Sequence, residues 1–304
     1  MHSDHATRHR WILKLAACAA LATPAASQAT EGGGSIYPVG AENYGCCALP
    51  PPGVYGQVFG QQYNASTLRD NHGDRIPVPN FRVEATAIVP RLIWVTPTQI
   101  LGGSLAFHGI LPLVTLKVNA GAESQRNTGI GDMTFGTALG WHLSPTLHLL
   151  AGVDVFAPTG GYRQTDLANI GRHYWAVQPL VGVTRMDPEG VNADLKLMYT
   201  FNGRNDATDY RSGQELIADY SLGYGILRNW VVGVGGYYYL QTTDDRQAGA
   251  TVANNRGRAF AIGPSIKYDS GKGWFVSLKY QAETGVRNRA DGGALWLKAT
   301  FPLY

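Results

Sequence analysis

The stretch VNADLKLMYTF, Val191–Phe201, alternates strictly between two kinds of side chain. One set of alternate positions holds Val, Ala, Leu, Leu, Tyr and Phe, and the positions between them hold Asn, Asp, Lys, Met and Thr. Successive side chains of a β-strand point to opposite faces, whereas the 3.6-residue period of a helix would mix the two sets. The stretch is therefore predicted to be a strand with one apolar and one polar face.

The same alternation recurs along the chain after residue 53 and predicts an all-β protein of twelve strands. The predicted strands run near 54–63, 81–95, 100–116, 130–143, 146–157, 172–186, 191–201, 214–227, 230–242, 257–268, 273–283 and 293–303.

The connections between these strands alternate in length. Five are tight turns (TPTQ, SPT, DPEG, RN and SGKG), and the six between them are long, from residues 64–80 to residues 284–292. An even strand number, short periplasmic turns and long outer loops are typical of an antiparallel up-and-down transmembrane β-barrel. Closure satisfies every backbone N–H and C=O in lipid, which an open sheet cannot do. A soluble β-sandwich would explain the alternation but not this rhythm of loops.

Aromatic residues mark the ends of one predicted span. In GVGGYYYLQTTDD, Gly233–Asp245, three tyrosines precede a polar segment, and Trp230 begins the same strand. Tyr and Trp rings are enriched at both membrane–water interfaces. Trp230 and the three tyrosines are thus expected to form interfacial girdles.

The N-terminal region predicts export from the cytoplasm. Residues 1–29 combine a basic start, an apolar run from Leu15 to Ala22 and small residues before a cut after Ala29, as in a secretory signal peptide. A lipoprotein signal ending at Cys18 is an alternative. The balance of 25 Lys and Arg against 22 Asp and Glu contains no basic block, which argues against a nucleic-acid partner.

Residues 30–53 are rich in Gly and Pro and are expected to be irregular, either as a plug in the lumen or as a periplasmic segment. They contain Cys46 and Cys47, the two cysteines left after cleavage. An incidental pair and a redox-active vicinal disulfide both remain open. No His or Cys cluster accompanies them, so neither a metal nor a cofactor is predicted.

Several motifs resemble those of the MetA-pathway phenol-degradation family of outer-membrane barrels. They are YPVG (37–40), LPPPGVY (49–55), GIGDMTFGTALGWH (129–142), APTGGY (157–162), NIGRHYWAVQP (169–179), YTFNGRNDATDYRSGQE (199–215), GVGGYYYLQTTDD (233–245) and RAFAIGPSIKYD (258–269). The resemblance implies an outer-membrane barrel linked to catabolism of aromatic compounds, and it implies no catalytic residues. The cysteine pair lies outside the pattern, and Pro302 before Tyr304 departs from the usual barrel terminus.

Strand phases also predict which polar side chains face the lumen. The pore-lining candidates are Arg82, Glu84, His108, Asp132, His148, Asp154, Asp194, Lys196, Glu215, Asp219, Lys279 and Glu283. Both signs of charge are present, and about twelve strands enclose a narrow bore at most. A selective conduit and a salt-bridged, structural interior are both compatible with this set.

Polar loop residues form a second group of candidates, because ligand contacts on a rigid barrel concentrate in loops. The candidates for a pore mouth or gate are Asn205, Asp206, Asp209, Tyr210 and Arg211. Pairing that merely folds the loop is the competing interpretation.

Catalytic chemistry has weak support. His142 and Ser144 could be a base and a nucleophile, but they flank a predicted turn and no third orienting group stands out. His72 and His173 fall in loops or at strand ends. We therefore expect no enzyme but an outer-membrane channel of a Gram-negative bacterium for small hydrophobic or aromatic solutes. Lipid and the barrel-assembly machinery are its expected partners, and a structural or surface-interaction barrel and an outer-membrane hydrolase are the alternatives.

Overall fold

The computed structural model describes residues 31–303, so the predicted signal peptide and Tyr304 lie outside the described residues. A 3-10 helix, Glu31–Gly33, precedes the strands. The strands are β1 Gly53–Arg69, β2 Arg75–Ile76, β3 Arg82–Ile100, β4 Gly103–Ile110, β5 Leu113–Ala120, β6 Glu123–Ile130, β7 Met133–His142, β8 Leu147–Ala157, β9 Ala176–Arg185, β10 Val191–Asn202, β11 Arg204–Asn205, β12 Tyr210–Arg211, β13 Glu215–Ile226, β14 Trp230–Gln241, β15 Asp245–Gln247, β16 Ala250–Val252, β17 Arg258–Asp269, β18 Phe275–Arg287 and β19 Ala290–Pro302.

Twelve of the described strands close into a ring. Its order is β1, β3, β4, β7, β8, β9, β10, β13, β14, β17, β18 and β19, and every neighbouring pair is antiparallel. The first and last strands seal it, since Gln57 of β1 pairs with Thr300 of β19 on one side and Arg91 of β3 on the other. The predicted twelve-stranded up-and-down barrel is confirmed. Short turns gather at one end of the ring, here called the turn end, and long connections at the other, the loop end.

Between residues 96 and 142, the strands of the structure differ from the predicted ones. The segment TPTQ is not a turn, because β3 continues to Ile100 and the chain turns at Leu101, where φ is 52°. The predicted loop 118–129 is a paired hairpin, β5–β6, which extends β4 and β7 at the loop end. Pro112, which lacks an N–H, interrupts the line of β4 and β5.

The hairpin β5–β6 leaves the outer edge of β6 without a strand partner in the sheet. Residues 158–175 cover part of this edge. The Asn127 side chain donates to Ala168 O at 2.7 Å, and the Ala168 N–H donates to Gln125 Oε1 at 2.9 Å. The wall is therefore completed here by a loop.

The two faces of the wall differ in polarity. In β10, Leu195 and Leu197 are each 39% exposed on the outside, whereas Lys196 is 5% exposed on the inside. Rings of Trp230, Tyr268 and Trp274 cluster at the turn end, with centroids 4.8 and 5.6 Å apart along the series. An apolar outside over a polar inside, edged by aromatic residues, is typical of a barrel that faces lipid.

The tyrosine triplet divides between the faces, which corrects the expected girdle. Only Tyr238 points outward; Tyr237 and Tyr239 are 1% and 0% exposed and donate hydrogen bonds to Glu283 and Glu215 in the lumen. Among residues 31–303, no helix has the length and apolar character needed to cross a bilayer.

Candidate functional site

The lumen is occupied by residues 31–52, which we call the plug. At the loop end, the Glu31 N–H donates to Ser212 Oγ at 3.2 Å. Near the turn end, the Leu49 side chain fills the space that a side chain at Gly140 would occupy. The plug thus runs through the whole length of the barrel before the chain enters β1.

One plug carboxylate is surrounded by three cations of the wall. Glu42 is 4% exposed, and its carboxylate lies 3.0 Å from Lys298 Nζ, 3.2 Å from Arg91 Nη1 and 3.8 Å from Lys196 Nζ. Buried charges are tolerated when they are paired and hydrogen-bonded. Glu42 therefore anchors the plug to β3, β10 and β19 at once.

A second anchor combines opposite charges from the wall with the plug backbone. Asp219 accepts from Tyr37 Oη at 2.7 Å and from the N–H groups of Gly40 and Glu42 at 2.9 and 3.0 Å. Lys279 Nζ donates to the carbonyl oxygens of Gly40 and Glu42, each at 2.7 Å. The wall thus satisfies plug N–H and C=O groups that would otherwise be buried without partners.

The cysteine pair belongs to the plug near the turn end. The Cys46 N–H donates to Asp194 Oδ1 and the Cys47 N–H to Thr184 Oγ1, both at 3.0 Å. Both cysteines are free thiols, and Cys47 Sγ lies where a side chain at Gly182 would be. These contacts help to hold the plug in the lumen, and the choice between an incidental pair and a redox-active disulfide stays open.

Docking should resist acid because of the charges around Glu42. Burial raises the pKa of Glu42, but Lys298, Lys196 and Arg91 outweigh burial and lower it from 4.5 to about 2. A lowered pKa adds stability that is fully present above the ordinary value and is lost as pH falls through the lowered one. Protease digestion of the plug in wild type and Glu42→Gln should therefore differ from neutral pH down to about pH 4 and converge near pH 2. Convergence already at about pH 5 would contradict this assignment.

Most predicted pore-lining side chains lie inside the barrel. They are His108, Asp132, His148, Asp154, Asp194, Lys196, Glu215, Asp219, Lys279 and Glu283. Several bind one another or the plug: His108 Nε2 lies 2.9 Å from Asp154 Oδ1, and the Nδ1 atoms of His142 and His148 are 2.7 Å apart. Their role in conduction stays a prediction.

The predicted lumen positions of Arg82 and Glu84 are wrong. They share the outward phase of β3 with Ile88 and Leu92, which are 58% and 54% exposed. Arg82 Nε pairs with Glu84 Oε1 at 3.0 Å outside the lumen. The inward positions of this part of β3 carry Val and Ala instead.

The loop candidates chiefly bind other loop residues. Arg204 pairs with Asp206 and Asp209 at 2.9 and 3.1 Å. Tyr210 donates to Asp245 at 2.6 Å, and Arg211 Nε donates to the Asn202 carbonyl at 3.1 Å. Asn205 differs, because its side chain donates to Glu31 Oε2 of the plug at 2.7 Å. These contacts hold the small sheet of β11, β12, β15 and β16 over the loop end.

The candidate hydrolase pair does not assemble. His142 contacts His148, whereas Ser144 Oγ accepts the N–H groups of Thr146 and Leu147 within the turn at 3.3 and 3.0 Å. Within residues 31–303, no group of three or more His, Cys, Asp or Glu residues is placed to hold a metal ion.

Sequence reasoning missed four important lumen residues: Glu42, Arg91, Arg289 and Lys298. Lys298 could have been found, since it alternates with the outward Leu295 and Leu297. Glu42 gave no signal, because its partners are distant in sequence and the plug has no strand period.

Two cavities lie between the plug and the wall. The inner cavity, about 150 Å³, has a mostly apolar lining that includes Phe59, Ala87, Val89, Ile110 and Phe156. Six charged side chains also line it: Glu42, Arg91, Asp132, Asp154, Arg172 and Lys196. The outer cavity, about 510 Å³, lies nearer the loop end and mixes apolar, tyrosine and charged side chains.

Residues 65–299 match the family described as the MetA pathway of phenol degradation. The chain belongs to this family. The family resemblance seen in the sequence motifs is thereby confirmed. A comparison with curated protein sequences finds no significant match.

Solved structures of similar fold include outer-membrane barrels. The COG4313 outer membrane channel from Pseudomonas putida F1 is 18% identical, with a TM-score of 0.73 over 86% of this family member and 99% of that chain. The translocator domain of the autotransporter NalP from Neisseria meningitidis is 9% identical, with a TM-score of 0.50 over 84% and 91% of the two chains. At these identities the likeness establishes the fold.

Proposed function

We propose that the protein is a passive outer-membrane channel of a Gram-negative bacterium that admits small apolar molecules, aromatic ones in particular. The observation that carries the proposal is the inner cavity. Most of its lining is apolar, although charged side chains, Glu42, Arg91 and Lys196 among them, also reach it, and a cavity of about 150 Å³ has the size of one that holds benzene. Family membership supports the aromatic class.

The polarity of the wall supports the location. Its apolar outward face suits lipid, and the turn end would face the periplasm while the long loops face the exterior. A solute from outside would reach the inner cavity past the plug, which continues into β1 at Gly53 and is otherwise held in the lumen by noncovalent contacts. Motion of the plug would therefore control passage.

Uptake of toluene by cells with an otherwise intact outer membrane tests the proposal. Expression of the wild type should raise the initial uptake rate several-fold over cells without it. Ala87→Phe, which fills the inner cavity from β3, should return the rate to background. Ile88→Phe is the matched control, because Ile88 is the next residue and points outward.

Equal uptake with and without the wild-type protein would contradict the channel. That result would favour the alternative of a structural barrel. The ion pairs that hold the plug in the lumen are the observation that supports this alternative.

A further inference from the structure

The outer cavity is amphipathic in its lining. One side carries the apolar side chains of Leu68, Val83, Leu116 and Val118 from β1, β3 and β5. Tyr37, Tyr63, Tyr162 and Tyr237 add aromatic surface, and Arg289 lies at the β18–β19 turn beside β1, where its carbonyl accepts from the Arg69 N–H at 2.9 Å. A volume of about 510 Å³ lies within the range of small-molecule sites.

Arg289 is a buried cation with an unused donor. It is 7% exposed, and its guanidinium carbon lies 3.9 Å from the centroid of the Tyr239 ring. Its Nη1 has no hydrogen-bond partner within residues 31–303, and no carboxylate oxygen of that range lies within 4.0 Å of the guanidinium. The carboxylates of Glu283 and Glu215 stabilise this charge from beyond ion-pair distance, and Nη1 is left without an acceptor.

The carboxylates around Arg289 are already occupied by neutral donors. Glu283 accepts from Tyr237, from Tyr63 at 3.1 Å and from the Gly292 N–H at 2.8 Å.

Glu215, the first residue of β13, accepts from Ser35 at 2.6 Å and from Tyr239 at 3.0 Å. The other charged side chains of the lining also have partners: Glu31 accepts from Tyr162 and Asn205, Asp166 accepts from Asn127, and Arg172 Nη1 donates to the Glu31 carbonyl at 3.2 Å. Arg289 Nη1 is thus a donor left for a ligand.

We propose that the outer cavity binds an amphipathic monoanion, a carboxylate carried on an apolar ring or short chain. The carboxylate accepts from Arg289, for which the planar guanidinium fork is suited. The apolar body lies against the aliphatic side chains of β1, β3 and β5. This inference rests on the proposed channel function and adds an anion-selective subsite ahead of the inner cavity.

Equilibrium dialysis of the detergent-solubilised protein tests the subsite with benzoate and its neutral counterpart, benzyl alcohol. Arg289→Gln should weaken benzoate binding about 10- to 100-fold, the loss expected for a charge-assisted hydrogen bond, and change benzyl alcohol binding little. Arg75→Gln, an exposed arginine outside the cavity, should match wild type for both. A folded Arg289→Gln with unchanged benzoate affinity, an equal loss for both probes, or no benzoate binding by wild type would overturn the proposal.

A second measurement needs no variant. Benzoate binding to wild type should fall between pH 7 and about pH 3 as the ligand carboxylate is protonated, while benzyl alcohol binding stays constant. A flat benzoate profile would overturn the subsite. Toluene uptake does not involve the carboxylate, so failure of the subsite leaves the Ala87→Phe test of the channel intact.

Discussion

Deletion of residues 31–49 is expected to convert the barrel into an open pore. The ring is sealed by ladders between β1, β3 and β19 that contain no plug residue, so the wall can close without it. Removal of the plug exposes Arg91, Lys196, Lys279 and Lys298 to water together with Asp194 and Asp219, and a hydrated lumen conducts ions. Single-channel recording in planar bilayers should show conductance steps several-fold larger than those of wild type.

Shortening the exposed β15–β16 turn at Ala248 and Gly249 provides the control, since this turn lies at the loop end away from the plug. That variant should conduct like wild type. A folded deletion protein with wild-type conductance would show that the wall itself, and not the plug, closes the lumen.

Glu42→Gln is expected to release the plug without removing it. Glutamine has nearly the same shape, but it leaves Arg91, Lys196 and Lys298 buried around a neutral group. Breaking a buried ion pair by removing one partner costs about 3–5 kcal/mol. The undocked fraction should rise roughly 100- to 4000-fold, because about 1.4 kcal/mol corresponds to a factor of ten. Limited proteolysis of the plug and the frequency of channel opening both report this fraction.

Glu189→Gln is the matched control. Glu189 pairs with Arg228 at 2.8 Å, but the two side chains are 67% and 83% exposed, and such surface pairs contribute about 0–1 kcal/mol. The control should be digested like wild type. Equal digestion of Glu42→Gln and Glu189→Gln would show that Glu42 does not hold the plug.

The barrel could be predicted from sequence because its spans repeat one physical pattern. Strand β10 presents Leu195 and Leu197 on its outer face and Asp194 and Lys196 on its lumen face. The alternation of apolar and polar residues therefore assigns both faces. The same reasoning failed for Arg82 and Glu84. Near the loop end, the inward residues Val83 and Ala85 are apolar because they line the outer cavity, while the outward face is polar. In this part of β3, apolar side chains therefore mark the face that lines the outer cavity, and not a face in contact with lipid.

The positions of Tyr237 and Tyr239 could not be predicted from the sequence either. A tyrosine suits both an interface and a lumen that offers a carboxylate acceptor, so composition alone cannot choose between them. The sequence could not show whether residues 30–53 lie in the lumen or in the periplasm. The anchors of the plug join Glu42 to Lys298 and Tyr37 to Asp219, contacts that only the closed ring brings together.

The path of the plug constrains how the protein can be assembled. Glu31 lies among the outer loops, whereas Gly53 starts the wall at the opposite end. The seam between β1 and β19 closes around this segment, so the segment must be inside before the seam forms or be drawn through the finished ring afterwards. A compact domain fused directly ahead of Glu31 would have to pass the bore in the second case. Such a fusion should assemble only if residues 31–52 already lie in the lumen, with the fused domain at the loop end, when β1 pairs with β19.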